Sequence, residues 1–148
     1  MFEIVRAPID AAALAQRVRS DACGAVVTFA GVVRERSDDD RVVTGLSYEA
    51  HAEMAIAEFA RIAEEARERF GSCEIAVVHR IGDLRIGEVA VAVAVASAHR
   101  ERAFDACEYV IDELKARAPI WKKEHYTDGS GEWKENACRS DSPHGAAK

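Results

Sequence analysis

The chain has 148 residues, of which 49% are hydrophobic and 31% charged, and a formal net charge of -6. That is the size and composition of one ordinary domain able to bury its own core, so disorder of the whole chain is excluded. The acidic balance excludes a general affinity for nucleic-acid phosphates, and no apolar run approaches the roughly 18 residues of a membrane-spanning helix.

From the start, Met1 to Arg6 lacks the basic opening and apolar run of a secretory signal, and the expectation is a cytoplasmic protein. Ile9 to Val18 reads as a short helix capped by Asp10 and filled with alanine. Gly24 to Arg34 is β-rich, and its two glycines predict a bulge or a close backbone approach. Glu35 to Arg41 is charged throughout and is expected to be a solvated, mobile loop.

Val42 to Glu49 reads as a second strand. From His51 to Phe70 the period becomes helical, with Met54, Phe59, Ile62, Ala66 and Phe70 as the apolar stripe and Gly71 as the stop. Cys73 to Ile81 is a third strand, followed by turns at Gly82-Asp83 and Gly87. Glu88 to Ala96 then alternates valine with alanine. Both faces are apolar, so this strand is central and covered on both sides, and the alanine face invites close packing by a helix or a second subunit.

Glu101 to Ala116 is the next helix, with Phe104, Cys107, Ile111 and Leu114 as its stripe. It is expected to stop near Ala118 because Pro119 disfavours helical geometry there. Ile120 to Tyr126 and Glu132 to Asn136 read as two short strands around a turn at Thr127 to Gly131, and residues 137–148 as a disordered tail. Hairpins mixed with two main helices argue for α+β: a single domain over residues 1–136 with a mixed or antiparallel sheet, α/β-hammerhead-like in class.

The chemistry concentrates at the two ends of the helix from Glu101 to Ala116. His99 and Arg100 stand at its start, where free backbone N–H groups and a partial positive charge suit an anion, although a cap and a surface cation would look the same. At its other end Leu114 to Lys123 holds Lys115, Arg117, Lys122 and Lys123, a basic cluster in an acidic chain. Cations at a helix C-terminus account for the first two but not for the pair past Pro119. Arg34, after Gly31, could fork onto an oxyanion.

Phosphate-loop, H-E-x-x-H and nucleophile-elbow motifs are absent. The histidines His51, His79, His99, His125 and His144 lack ligand spacing, and Cys23, Cys73, Cys107 and Cys138 form no C-x-x-C pair. No metal site or cofactor is expected, and the thiols are expected to be reduced and mostly buried.

Taken in order, Gly24-Ala25-Val26-Val27-Thr28-Phe29 with Gly31-Val32-Val33-Arg34, Leu46-Ser47-Tyr48-Glu49 and His79-Arg80-Ile81-Gly82 form the first half of a pattern. Ser97-Ala98-His99-Arg100, Leu114 to Glu124 and Trp133 complete it. Together they resemble the catalytic large subunit of molybdopterin synthase, a sulfurtransferase of molybdenum cofactor biosynthesis. The resemblance implies a substrate, cyclic pyranopterin monophosphate, and a product carrying a dithiolene. It implies a small ubiquitin-like partner subunit bringing each sulfur as a thiocarboxylate on its C-terminal Gly-Gly, and a homodimer of large subunits within a heterotetramer. By the same resemblance Lys115 and Lys122 match catalytic lysines, with Lys122 at the reacting centre. Val32, Val33, Arg34, His99, Arg100, Lys123 and Glu124 match substrate-binding positions.

The acidic loop from Ser37 to Arg41 departs from the Asn-Gly type of turn common in that family, and His51 stands where an aromatic is common. Two other functions are compatible with a basic pocket. One is a sensor of a phosphorylated metabolite. The other is a module that grips a ubiquitin-like tail without chemistry.

Overall fold

The computed structural model describes residues 1–135. The expected disordered tail, with Cys138 and His144, lies outside the described residues. Two four-stranded sheets share one α+β fold. The first has the order β1 (Phe2–Val5), β4 (Cys73–Arg80), β6 (Val89–Ser97), β2 (Ala25–Val32), and only β1 and β4 run parallel. The second is fully antiparallel, in the order β5 (Gly82–Arg85), β3 (Val43–Ala50), β7 (Ile120–Tyr126), β8 (Gly131–Glu135). Among the described residues three helices complete the fold: α1 (Ala11–Arg17), α2 (Ala52–Phe70) and α3 (Arg100–Arg117).

The alternation in β6 does what its chemistry predicts. Val91, Val93 and Val95 enter the main core with Phe59, Ile62, Val110 and Leu114. Ala92, Ala94 and Ala96 enter a second, smaller cluster with Leu14 and Val18, so the element accepted by the alanine face is the short helix α1. Asp10 caps α1, its side chain accepting from the Ala13 amide at 2.9 Å. Ala118 is extended, with ψ 135°, and α3 ends at Arg117 as Pro119 requires.

Several expectations need correcting. Met54 and Phe104 are not in the core; they are 58% and 60% exposed. The buried face of α2 is Ala55, Phe59, Ile62, Ala63 and Ala66, and that of α3 is Ala103, Ala106, Cys107, Val110, Ile111 and Leu114. Alanines hold those faces because the two helices approach each other and the sheet closely, so side-chain size misled the assignment of the stripe. The Gly82-Asp83 segment is not only a turn. It opens β5, a four-residue strand made by pairing with β3 rather than by its own pattern. β1 was not expected at all, because four residues carry too little period to read.

The charged loop after β2 is tied down. Ser37 is buried, its hydroxyl accepts from the Arg41 amide at 3.1 Å, and Arg36 pairs with Asp40 at 3.2 Å. Arg34 also bonds Asp38, and Lys134 lies 3.7 Å from Asp39.

Candidate functional site

A cleft of about 1000 Å³ opens between the two sheets. Its wall from the first sheet comes from the end of β2. At Gly31 the register with β6 slips by one residue, a β-bulge that re-aims the chain beyond it, so that Val32 and Arg34 line the cleft while Val33 turns into the core at 2% exposure. A Cβ at Gly31 would stand 2.7 Å from the Val91 side chain, so only glycine lets β2 lie this close to β6 here. Of the bulge or close backbone approach expected from the two glycines, the bulge is at Gly31 and the backbone approach at Gly24, where a Cβ would stand 2.5 Å from the Ala98 carbonyl oxygen.

The opposite wall is built by register. Tyr48 of β3 pairs with Lys122 of β7, and Leu46 with Glu124, so these four side chains share the cleft face. Strand alternation sends Trp121 and Lys123 to the other face, where the Lys123 ammonium lies 5.8 Å from the Trp133 ring. Lys115 reaches the cleft from the last turn of α3. Arg36, Asp38, Glu132 and Lys134 complete its charged lining, giving five cations against three carboxylates, so the cleft carries a net positive charge in an acidic chain.

Glu124 is the buried anchor of this charge, at 5% exposure. It accepts from Lys134 Nζ at 3.0 Å and from the Tyr126 hydroxyl at 2.9 Å, with Lys122 Nζ at 4.0 Å. The bond to Glu124 holds the Lys134 ammonium well above the ordinary lysine range, so it stays charged. Lys134 thus balances the carboxylate that would otherwise claim Lys122. Deeper in, burial and the nearby Glu124 charge push the Tyr48 phenol up to about 12, and burial pushes His79 down to about 4. Both are neutral at ordinary pH.

The structure brings together Val32, Arg34, Lys115, Lys122 and Glu124 of the residues expected at a site. It does not bring the others. Val33 is core and Lys123 faces away. His99 and Arg100 are exposed at the far end of α3, and a rise of 1.5 Å per residue puts Arg100 about 22 Å along the axis from Lys115. Arg117 of the basic cluster is also elsewhere. It bonds Glu58 at 2.7 Å, Glu65 at 2.6 and 3.0 Å and Glu113 at 3.1 Å on the outer surface of α2 and α3.

Tyr48 and His79 stood in the sequence motifs and Lys134 did not, and none of the three was expected at the site. For Tyr48 the signal was available only through the strand register. For His79 it was a polar ring inside a run of buried residues.

Among the described residues no group of three or more His, Cys, Asp or Glu side chains could hold a metal ion, and no helix is long and apolar enough to cross a membrane. Burial pushes the Cys107 thiol up to about 11 and raises that of Cys73, which disfavours the reactive thiolate in both.

Residues 4–117 match the family model described as MoaE protein. The chain belongs to the MoaE family. It is 45% identical over 131 residues to the molybdopterin synthase catalytic subunit of Thermoplasma volcanium, covering 88% of this chain and 95% of that protein. A span of that length within 148 residues must include Lys122 and Glu124, which the family model does not reach. The solved molybdopterin synthase of Staphylococcus aureus superposes with a TM-score of 0.85 at 40% identity, covering 90% of this chain and 96% of that one. A complex of subunits 1 and 2 of the molybdopterin-converting factor from Helicobacter pylori has the same fold, with a TM-score of 0.69 at 23% identity over 95% of this chain and 92% of that one. The family expected from the sequence motifs is the family found, and so is the α+β class.

Proposed function

We propose that this member of the MoaE family transfers sulfur, in the cytoplasm, from the C-terminal thiocarboxylate of a small ubiquitin-like subunit to cyclic pyranopterin monophosphate, forming the dithiolene of molybdopterin. The observation that carries the reading is the net-cationic cleft that gathers Arg34, Lys115 and Lys122 around a hydrogen-bonded Glu124. Two anions, a phosphorylated substrate and a thiocarboxylate tail, have to meet, and the cations lining the cleft offset their repulsion.

In each transfer a C–S bond to a pterin carbon forms as a C–O bond of that carbon breaks and its oxygen leaves protonated, while the tail's C–S bond breaks and an oxygen from water replaces sulfur on the tail. Lys122 acts at this centre, as general acid or as the charge that stabilises the developing anion. Lys115 and Arg34 orient the two anionic groups. With both described core cysteines buried as neutral thiols, sulfur is better supplied from outside the chain.

His99 and Arg100 fit this reading only through a second copy. A homodimer that lays the start of one α3 against the neighbour's cleft would add both residues to the site, inside a heterotetramer with one small subunit at each end. The two-subunit complex from Helicobacter pylori is a precedent for the partner.

The test is reconstitution of the chain with cyclic pyranopterin monophosphate and the small subunit in thiocarboxylate or plain carboxylate form. Dithiolene product with the first alone supports the reading. A partner that binds without product in either case overturns it in favour of a tail-binding module.

A further inference from the structure

The floor of the cleft holds two polar groups, on His79 and Tyr48, to which no described residue gives a hydrogen bond. His79 is 2% exposed and Tyr48 8%, and both line the cleft. His79 Nδ1 lies 2.9 Å from the Arg80 carbonyl oxygen. A carbonyl only accepts, so Nδ1 carries the proton and Nε2, across the ring, keeps a lone pair. Neither Nε2 nor the Tyr48 hydroxyl has a hydrogen bond among the described residues. The two rings meet edge to face, 5.0 Å between centroids at 71°, so they hold each other in place. Leu46, Val91 and Leu114 line the same cleft, and Lys122 is the cross-strand neighbour of Tyr48.

Polar groups that line a cleft are hydrogen-bonded by whatever fills it, water or ligand. Two such groups side by side at the base of an open cleft are complementary to a ligand edge carrying one donor and one acceptor. Both groups are uncharged. A phosphate gains nothing from a lone pair and is better placed among Arg34 and the lysines. A nitrogen heterocycle offers the matching edge, a ring N–H beside a ring nitrogen or carbonyl.

We propose that His79 and Tyr48 are the heterocycle-reading floor of this cleft: Nε2 accepts from a ring N–H while the Tyr48 hydroxyl donates to the neighbouring ring acceptor. Because Tyr48 is the cross-strand neighbour of Lys122, this contact sets the depth at which the ring lies beside that lysine. The inference rests on the reading of the substrate as a phosphorylated pterin and adds which residues recognise its ring and which its phosphate.

The experiment measures KM for cyclic pyranopterin monophosphate and for the thiocarboxylated partner in the intact complex, for the natural chain and three variants. His79→Asn keeps an N–H for the Arg80 carbonyl but lacks the inner acceptor. His79→Gln carries an amide to the Nε2 position. Tyr48→Phe keeps the ring contact and loses only the hydroxyl. The expected result is a pterin KM raised about 10–100-fold in His79→Asn and about 5–10-fold in Tyr48→Phe, with partial recovery in His79→Gln, while the partner's KM is unchanged.

Folding is checked by thermal melting, and if His79→Asn does not fold, Tyr48→Phe decides. A natural pterin KM in folded His79→Asn or in Tyr48→Phe overturns the assignment and leaves the sulfur-transfer reading standing. Equal defects in His79→Asn and His79→Gln also overturn it, because they indicate a packing role. A natural chain that neither binds the pterin nor makes product overturns both.

Discussion

Lys115 and Arg117 stand two residues apart on the last turn of α3, and the helix has given them opposite employment. A separation of two residues is about 200° of rotation, so the side chains leave opposite sides. Lys115 lines the cleft. Arg117 lies outside it, gripped by Glu58, Glu65 and Glu113, with the Tyr109 hydroxyl bonding Glu65 at 2.9 Å. That grip holds the Glu65 carboxyl at about 2 and raises Arg117 above its ordinary range. A run of basic residues in a sequence is thus two different things: charge that faces a cleft, and charge that joins α2 to α3. Only the neighbours in space tell them apart.

The contrast can be broken from the cleft side first. Reversing the cleft-facing charge with Lys115→Glu is expected to reduce product formation by at least about 100-fold, as a single-turnover assay will show. If activity survives, the cleft does not need this cation.

The next effect concerns the cleft floor and is read as stability against pH. His79 has a folded pKa of about 4, below its ordinary 6.5, so the unfolded chain binds the proton more readily. The stabilisation from keeping it neutral is complete above about pH 6.5 and is lost as pH falls toward 4, a total of about 3 kcal/mol. Urea unfolding between pH 7 and 5 should show a downward slope that His79→Gln flattens.

Lys134 tests whether Glu124 must be balanced. In Lys134→Met the buried carboxylate has only Lys122 and Tyr126 to turn to, so Lys122 is drawn toward it. Turnover is expected to fall about 10-fold with partner binding unchanged. Smallest of all is Arg117→Ala. It should lower the melting temperature by a few degrees and leave turnover per folded molecule as it was, because the pairs it breaks are partly solvated. A large loss of turnover there would erase the distinction between the two basic residues.

Most of the elements were legible because strong local signals agreed with the tertiary solution. The valine–alanine alternation of β6, the glycine stop of α2 and the proline stop of α3 each state one structural outcome. What escaped depended on partners distant in sequence. β5 exists because β3 lies beside it, and the alanine faces of α2 and α3 are buried because the helices meet there, which pushed Met54 and Phe104 outward. The site was legible to the same degree. Lys115, Lys122 and Arg34 could be named from charge and motif. Tyr48 and His79 stood in the motif segments without a site role, since that role follows from a register between β3 and β7 and from a cleft between two sheets that no local window contains. The loop from Ser37 to Arg41 reads as solvated charge, yet its residues pair internally and with Lys134.

The most direct measurement of the central claim separates binding from chemistry at Lys122. The natural chain and Lys122→Ala are assembled with the small subunit, the dissociation constant for cyclic pyranopterin monophosphate is taken without sulfur donor, and dithiolene formation is followed in a single turnover with it. If Lys122 acts on the reacting atoms, Lys122→Ala binds the pterin within about 10-fold of the natural chain and forms product at least about 100-fold more slowly. Equal losses in binding and rate, or natural product formation, would contradict the account and leave Lys122 as one cation among five.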